Sequence, residues 1–479
     1  MKEIILWTIA GMLAAGFVAA NYSNVRLLLG KYARPDGTNP SPVLMVGGIL
    51  GVLACLAAPN ETLHEYWWVP LLLDIGTGPY LLVIAVLFAA GAFSAVAGRE
   101  RDASVADGAG TAPEAAPEQH PKRRAIVGCI LGTAVGDALG LACEGLSRTR
   151  QARMFPELAG YKLLPFGKGM CSDDTEHTCM LAQSLLAIPR YAYDDPDEMA
   201  KQFASGFGWR LRFWLLGMPA GIGFATLRAI LKLWIGFPSR YSGVFSAGNG
   251  PAMRVALLGV CYGDDPARMR AMVRAATRIT HTDPKAEHGA LAVALAAHLA
   301  ASGIEVVPAD YAKRLHELLG EDGRELCDLV NHVARSVEAK ESAVDYAARN
   351  GCGNGISGYM LHTVPAALHV WLAHQSDYRG GVTAMVRLGG DSDTTAAIVG
   401  AIIGTRVGKD GIPAGWLRDL WEWPRTPGWL EKLGDRVAED HQYGGSADVT
   451  LNPLGIMLRN ILFIPLVLAH GFRRMLPPY

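Results

Sequence analysis

Residues 126–142 read IVGCILGTAVGDALGLA, and the fold of the chain depends on how this segment is interpreted. The segment is apolar apart from Asp137. Its glycines recur at four-residue spacing, at Gly128, Gly132, Gly136 and Gly140. A face of small residues at this spacing is typical of transmembrane helices that pack closely against a neighbour. A helix buried in an all-helical soluble core gives the same pattern, so composition alone leaves both interpretations open.

The surrounding composition excludes several classes of protein. The chain has 479 residues, a length that predicts two or three domains. Hydrophobic residues make up 50% and charged residues 19% of the sequence, which excludes a disordered chain. Its 44 basic and 45 acidic residues lack the basic excess of nucleic-acid-binding proteins, so no nucleic-acid partner is expected. The eight cysteines contain no CxxC pair, which argues against a zinc knuckle or a disulfide scaffold.

Three further apolar runs, at residues 4–20, 43–58 and 69–93, lie before this segment. About 20 apolar residues are needed to cross the hydrocarbon core of a bilayer, so the runs predict a transmembrane region over residues 1–98. A soluble buried hairpin is the alternative for these helices. The following residues, 99–121, are rich in Ala, Asp, Gly, Pro and Glu and predict a flexible linker.

The loops between these runs set the orientation. The first loop carries Arg26, Lys31 and Arg34, whereas the second carries Glu61 and Glu65 with no basic residue. The positive-inside rule then places the first loop and everything after residue 93 in the cytoplasm. We therefore predict a multi-pass protein of the plasma (inner) membrane, with the lipid bilayer as a partner and the remaining chain facing the cytoplasm.

The C-terminal residues 446–479 form a second apolar region. The run at 454–469 is interrupted by Arg459, Asn460 and Pro465, which leaves too few consecutive apolar residues to span a bilayer. Spanning would also carry Arg473 and Arg474 to the outer side. The sequence predicts a membrane-associated tail that lies at the interface, with these arginines near anionic headgroups.

Two acidic segments, Ser172–Thr175 and Gly389–Thr394, each precede an apolar helical run. Each offers two carboxylates beside hydroxyl groups, a combination that suits Mg²⁺ or Mn²⁺ better than zinc. Helix capping explains either segment alone, because Asp and Ser before a helix accept hydrogen bonds from its free amides. The occurrence of two such segments favours a dinuclear metal centre, in which a shared water is activated.

Five sequence blocks, taken in order, resemble the ADP-ribosylglycohydrolase family. They are Gly136–Gly140 with Glu144, Ser172–Thr175, Ser246–Gly250 leading to Arg254, Thr280-His281 with Asp283-Pro284, and Gly389–Thr394. A weaker sixth block is Ser357-Gly358-Tyr359-Met360. The resemblance covers roughly residues 123–424 and implies an all-α, packed-helix domain, which we place at 122–445 after the transmembrane region. It also implies that residues 126–142 form a core helix.

The resemblance assigns roles to individual residues. The implied ligands of two Mg²⁺ (or Mn²⁺) ions are Ser172, Asp173, Asp174, Asp391, Asp393 and Thr394. Glu144 matches a glutamate at the substrate cleft of the family, and the candidate catalytic residues are Glu144, Asp174 and Asp391.

Glycine-rich loops supply the candidate substrate contacts. Successive amides in such a loop can bind phosphate, so two loops suit a diphosphate such as that of ADP-ribose. Asp283 with Pro284 also fits the start of a helix, as cap and first residue. The candidate substrate-binding residues are Gly248, Asn249, Gly250, Arg254, His281, Asp283, Ser357, Gly358 and Tyr359.

The sequence therefore predicts a membrane-tethered, metal-dependent hydrolase that removes ADP-ribose from a modified protein. Both arginine N-glycosides and serine O-glycosides are cleaved within the family, and the sequence does not choose between them. A non-catalytic sensor of ADP-ribose at the membrane is one alternative. A hydrolase of a small-molecule ADP-ribosyl or nucleoside conjugate is the other.

Overall fold

A computed structural model describes residues 2–28, 46–59, 63, 69–73, 122–443, 449–474 and 476–477. The chain divides into two compact units, of which the first comprises residues 1–34 and 39–119 and the second residues 35–38 and 120–479. The predicted linker at 99–121 and residues 74–93 of the third predicted span lie outside the described residues.

The described residues of the first unit form the helices α1 (Lys2–Leu28), α2 (Val46–Ala57) and α3 (Val69–Leu73). Helix α1 contacts α2, and α2 contacts α3. The approach is close, because a Cβ atom added to Gly51 would lie 2.4 Å from Pro70 Cβ. At 1.5 Å per residue, the 27 residues of α1 extend about 40 Å. Helices therefore occupy the first two predicted spans, whose insertion in a membrane stays a prediction.

Helices also build the second unit, and the described residues contain isolated β-bridges but no strand. The prediction of an all-α domain is confirmed. Its helices are α4 (Arg123–Leu141), α5 (Arg148–Met154), α6 (Asp173–Leu186), α7 (Pro196–Leu216), α8 (Phe224–Trp234), α9 (Ser239–Ser242), α10 (Ala256–Tyr262), α11 (Pro266–Arg278), α12 (Pro284–Ala301), α13 (Pro308–Leu319), α14 (Arg324–Glu338), α15 (Ala343–Arg349), α16 (Met360–Ala373), α17 (Tyr378–Arg387), α18 (Ser392–Gly411), α19 (Ala414–Asp419), α20 (Pro427–Tyr443) and α21 (Pro453–Arg474).

The segment that opened the sequence analysis is the central helix α4. Every residue from Ala125 to Leu141 is buried, and α4 packs along its length against α18. The four glycines form the contact: a Cβ atom on Gly132 would lie 2.2 Å from the Gly400 oxygen, and one on Gly140 2.2 Å from the Ser392 oxygen. Residues 126–142 are therefore a core helix, whose small residues let the α18 backbone approach.

Helix α21 packs on the second unit through an unusual face. Its polar residues Arg459 and Asn460 are buried together with Phe463. Large apolar side chains are exposed instead, at Leu454, Leu458, Ile461, Leu462 and Phe472. Helices α4 and α21 are the two described helices that are long and apolar enough to cross a membrane, but the most apolar 18-residue window of α4 is 94% buried and that of α21 is 22% buried.

The contact between α4 and α18 makes a testable prediction. We expect Gly132→Ala to lower the free energy of unfolding by about 1–3 kcal/mol, because the new methyl group would overlap the Gly400 backbone. Gly206→Ala on α7 is the matched control, since no described atom lies within 4 Å of its added Cβ. That change should be neutral or slightly stabilising. Urea unfolding of both variants tests the prediction, and equal stabilities would contradict it.

Candidate functional site

The first acidic turn caps helix α6. Ser172 is its N-cap residue, and the Ser172 hydroxyl accepts a hydrogen bond from the Asp174 amide and donates one to Asp174 Oδ2 (2.9 Å). Asp137, from the α4 core, accepts hydrogen bonds from the amides of Ser172 (2.8 Å) and Thr175 (3.1 Å) and from the Thr175 hydroxyl (2.5 Å). The carboxylate of Asp137 therefore holds the turn against the central helix.

The second acidic turn precedes helix α18. Gly389 and Gly390 adopt positive φ values of 75° and 81°, and a Cβ atom on Gly390 would lie 2.0 Å from the Ile356 oxygen. Only glycine fits this approach without strain. The turn that follows places Asp391 as the N-cap residue and Asp393 in the first helical turn.

Three buried carboxylates converge between the two turns. Asp137, Asp174 and Asp393 each offer an oxygen within 4.8 Å of the others. The Thr394 hydroxyl donates to Asp174 Oδ2 at 3.3 Å. Among the described residues, neither Asp174 Oδ1 nor Asp393 Oδ1 has a hydrogen-bond partner. Buried oxygens without donors, arranged in this way, fit the ligands of a hard divalent cation.

The pKa values of these three carboxyl groups are raised, as their burial close together requires. Burial raises the pKa of Asp137 to about 6. Burial, followed by the neighbouring charges of Asp137 and Asp173, raises the pKa of Asp174 well above its usual range. For Asp393 the pKa rises through burial and the charges of Glu144 and Asp174. A bound cation would reverse each of these effects, because it favours the ionised carboxylates.

The two glycine loops, at Ser246–Gly250 and Ser357–Tyr359, pair with each other through their backbones. The Asn249 amide donates to the Gly358 oxygen at 2.9 Å, and the Met360 amide donates to the Ala247 oxygen at 2.8 Å. The Asn249 side chain donates to Asp391 Oδ2 at 2.7 Å. A Cβ atom on Gly358 would lie 3.1 Å from the same Asp391 oxygen. The structure thus brings both predicted loops to the second acidic turn.

His281 lies against the first of these loops. Cβ atoms on Gly248 and Gly250 would lie 3.1 Å from ring atoms of His281, and its Nδ1 lies 2.8 Å from the Thr280 hydroxyl. Burial lowers the pKa of His281 to about 3, so the ring is neutral at physiological pH. Asp283 caps α12 by accepting a hydrogen bond from the Lys285 amide at 2.9 Å, as its position before Pro284 indicates.

Arg254 occupies a different position from the other predicted substrate contacts. Its side chain is fully buried and donates to the Ala276 oxygen (2.8 Å) and to the Thr280 hydroxyl (2.6 Å). Its Nη1 lies 2.9 Å from His177 Nδ1. Because Thr280 also contacts His281, the guanidinium supports the histidine from behind the loop.

Ser357 and Tyr359 end the second loop. The Ser357 hydroxyl lies 2.8 Å from His362 Nδ1, and Lys285 Nζ donates to the Tyr359 hydroxyl at 3.2 Å. A cavity of about 220 Å³ borders Tyr359 and His362 and is also lined by Glu325. Most of the other lining residues are apolar, so Tyr359 borders a largely apolar recess.

Glu144 lies just beyond the end of α4, beside the second acidic turn. The following residue, Gly145, donates its amide to the Gly390 oxygen at 2.7 Å, and Gly390 donates to the Leu146 oxygen at 2.8 Å. Burial raises the pKa of Glu144, the guanidinium of Arg474 opposes that rise, and the charge of Asp391 adds to it. The three candidate catalytic residues Glu144, Asp174 and Asp391 are therefore in one electrostatic site.

A buried ion-pair network behind the first turn was not predicted from the sequence. Arg425 lies 2.8 Å from Glu176, and Arg459 lies 2.7 Å from Glu422. Glu422 also accepts a hydrogen bond from the Cys171 amide at 2.9 Å. The contribution of Asp137 to the carboxylate cluster was missed too. In both cases the signal was one charge within an apolar run, Asp137 in residues 126–142 and Arg459 in residues 454–469.

Comparison with known proteins places this site in a family. The family model for ADP-ribosylglycohydrolase matches residues 117–446. An uncharacterized protein of Archaeoglobus fulgidus is 33% identical over 311 residues, which cover 63% of this chain and 92% of the relative. The ADP-ribosyl-[dinitrogen reductase] glycohydrolase of Rhodospirillum rubrum is 27% identical and is matched over 59% of this chain and 85% of its own length. The ADP-ribosylhydrolase ARH3 of Mus musculus is 27% identical, with coverages of 51% and 71%.

The matched region contains both acidic turns, both glycine loops and His281, which are the elements that the fold brings together. It covers most of the chain and nearly all of the described second unit. The chain therefore belongs to the ADP-ribosylglycohydrolase family of hydrolases.

Proposed function

We propose that this protein is a metal-dependent hydrolase that removes ADP-ribose from modified protein side chains at the cytoplasmic face of a membrane. The observation that carries the proposal is the convergence of Asp137, Asp174 and Asp393, with two donor-free buried oxygens, beside the paired glycine loops. The relative from Rhodospirillum rubrum is named for its action on an ADP-ribosylated protein, dinitrogen reductase, which supports the substrate class.

The acidic turns supply the ligands for two Mg²⁺ or Mn²⁺ ions. Ser172, Asp173 and Asp174 would bind from the first turn, and Asp391, Asp393 and Thr394 from the second. Asp137 would add a carboxylate ligand from the core helix α4. Bound there, divalent cations would lower the pKa of water and orient the ribose hydroxyls.

The remaining residues bind and orient the substrate. The Gly248–Gly250 and Ser357–Tyr359 loops would bind a diphosphate through their glycine-rich backbone. The Asn249 amide is not available for this, because it joins the two loops through its bond to the Gly358 oxygen. The neutral ring of His281 adds a hydrogen-bonding group without repelling the buried Arg254. Asn249 fixes Asp391 through its 2.7 Å hydrogen bond.

Hydrolysis needs a proton for the leaving atom, and Glu144 is the candidate donor. Water cleaves the glycosidic bond between the ribose carbon C1″ and the modified side chain. Its hydroxyl group goes to C1″, and a proton goes to the departing nitrogen or oxygen. Although 44% of the Glu144 side chain is exposed, desolvation of its carboxyl and then the charge of Asp391 raise its pKa against the opposing guanidinium of Arg474, so the carboxyl keeps its proton at a higher pH than a free glutamate does. A carboxyl with this property suits general acid catalysis.

Membrane tethering rests on the apolar surfaces. Helix α1 exposes Trp7, Met12 and Val18. Helix α21 directs Leu458 and Leu462 outward, so an interfacial position would bury them in lipid. The apolar runs at residues 1–98 would supply the transmembrane anchor, and α21 a second contact near the headgroups.

The carboxylate cluster gives a prediction for stability against pH. In a chelator, the free energy of unfolding should decrease as the pH rises from about 4 to about 6, because the folded protein retains a proton on Asp137 that the unfolded chain, with a pKa of 3.8, releases. Asp137 alone contributes up to about 3 kcal/mol to this loss. Mg²⁺ at pH 7 should restore the stability. Melting curves at pH 5 and pH 7, with EDTA or Mg²⁺, provide the measurement.

The variant Asp393→Asn sharpens this experiment. Removing one buried charge should raise the melting temperature in EDTA at pH 7 and reduce the gain produced by Mg²⁺. Asp377→Asn, at the exposed cap of α17, should change neither value. An equal gain from Mg²⁺ in all three proteins would contradict binding at the cluster.

Catalysis is tested by the double substitution Asp391→Asn and Asp393→Asn. We expect the variant to lose metal-dependent release of ADP-ribose while its circular dichroism spectrum stays helical, because the second turn would lose both charges. Release is measured from ADP-ribosylated arginine, ADP-ribosylated serine and free conjugates, with and without Mg²⁺ or Mn²⁺.

The same assay separates the alternative functions. Unchanged hydrolysis by the double variant would refute the assigned mechanism. Binding of ADP-ribose by the unaltered protein without release from any substrate would show a sensor. Release from free conjugates alone would show a small-molecule hydrolase.

Membrane topology gives a further prediction. The full chain should resist extraction by alkaline carbonate, whereas a chain lacking residues 1–98 should be extracted, because α21 alone provides an interfacial contact. Protease added on the cytoplasmic side should reach the C-terminus at Tyr479. Protection of that end would require α21 to span the membrane and would overturn the interfacial assignment.

A further inference from the structure

Helix α21 lies beyond the family match, which ends at residue 446. Its polar face nevertheless contacts the start of the first acidic turn and the segment that carries Glu144. We propose that α21 is a positioning element of the active site, in which Arg474 orients Glu144 and Arg459 holds the first acidic turn. The proposal rests on the proposed hydrolase function, since it assigns residues that act through Glu144 and the metal-binding turn.

Arg474 contacts the Glu144 segment at two points. Its Nη1 lies 3.8 Å from Glu144 Oε2, and its Nη2 donates to the Leu141 oxygen at 3.1 Å. The side chain of Arg474 is 23% exposed, and a Cβ atom on Gly145 would lie 3.6 Å from its Nη1. One guanidinium thus links the last turn of α4 to the glutamate that follows it.

The C-terminal end of α21 has further attachments. His470 Nε2 lies 2.8 Å from the Leu163 oxygen, and Arg150 Nη2 donates to the Leu476 oxygen at 2.8 Å. These contacts hold the end of the helix on both sides of Arg474. The position of its guanidinium is therefore set by the helix as a whole and not by the pair with Glu144 alone.

Arg459 performs the corresponding task at the first acidic turn. Its Nη2 donates to the Cys171 oxygen at 2.6 Å and lies 2.7 Å from Glu422 Oε2. Cys171 directly precedes Ser172, and Asn460 donates to the Gly217 oxygen at 2.6 Å. Fifteen residues separate Arg459 from Arg474, which is about 22 Å along a helix. The single helix therefore reaches the metal-binding turn and the candidate acid at two separate points.

The segment around Glu144 is also held by burial of its neighbours Cys143 and Leu146 and by the second acidic turn. Its backbone pairs with Gly390, through the 2.7 Å bond from the Gly145 amide. Glu144 itself is 44% exposed, so burial alone does not fix its side chain. Arg474 supplies an attachment for the Glu144 side chain itself, through the 3.8 Å approach of Nη1 to Oε2, and in this proposal it keeps the carboxyl at the site.

The experiment compares Arg474→Gln with Arg473→Gln in the full chain. Arg473 is exposed and donates to the Pro477 oxygen, which lies just beyond the end of the helix, so its substitution is the matched control. We expect Arg474→Gln to lower kcat between about 10- and 100-fold with a smaller change in KM, because the candidate acid is misplaced while the loops that bind ADP-ribose remain. Arg474→Lys should recover part of the loss.

Hydrogen exchange supplies a readout that needs no activity. The amides of residues 143–147 should exchange faster in Arg474→Gln than in the control, while the melting temperature and the affinity for Mn²⁺ stay close to those of the unaltered protein. Faster exchange in a protein that releases no ADP-ribose would uphold the positioning role and reject the hydrolase. Normal kcat with unchanged exchange would reject the positioning role and leave the hydrolase standing.

Discussion

The close approach of α4 and α18 is the constraint on which the rest of the molecule depends. Glycines remove the side chains that would separate the two backbones, and the carbonyl oxygens of α18 occupy the space where Cβ atoms would lie. Because the contact continues to Gly140 and Ser392, it sets Asp137 next to the start of α18. The distance from Asp137 to Asp393 is therefore a consequence of packing, and a side chain inserted far from the carboxylates would still displace them.

That packing concentrates negative charge in a buried place. Asp137 is stabilised by three donors from the first turn, but one oxygen of Asp174 and one of Asp393 find no donor among the described residues. Buried ions are costly unless they are paired. Arg425 and Arg459 pair with the carboxylates behind the turn, and the oxygens without donors lie where the proposed cation would bind. The carboxylates paired with arginines are thus different from the carboxylates proposed to bind a cation.

The local patterns in the sequence predicted much of this site. The acidic turns and the glycine loops are recognised from local residue types, and the structure brings Asn249, Asp391 and Gly358 of these segments together. Contacts between distant segments were not readable. Asp137 looked like an isolated charge in a helix, and the contacts of Arg254 with Ala276 and Thr280 could not be foreseen, because neither pattern shows which way a side chain points. Binding of substrate by Arg254 stays a prediction. The polar face of α21 was missed because the overall hydropathy of residues 454–469 is apolar and does not show that Arg459 and Asn460 are buried.

Helix α21 also shows that the boundary of a family and the boundary of a folded unit differ in this protein. A polypeptide ended at the last residue of the family match, 446, would retain every acidic and glycine motif. It would lose Arg459, and Glu422 would then lie buried without one of its cationic partners. Removing one partner of a buried ion pair typically lowers the free energy of unfolding by about 3–5 kcal/mol. The shortened domain would therefore keep every motif residue but lose part of the packing that holds the first acidic turn.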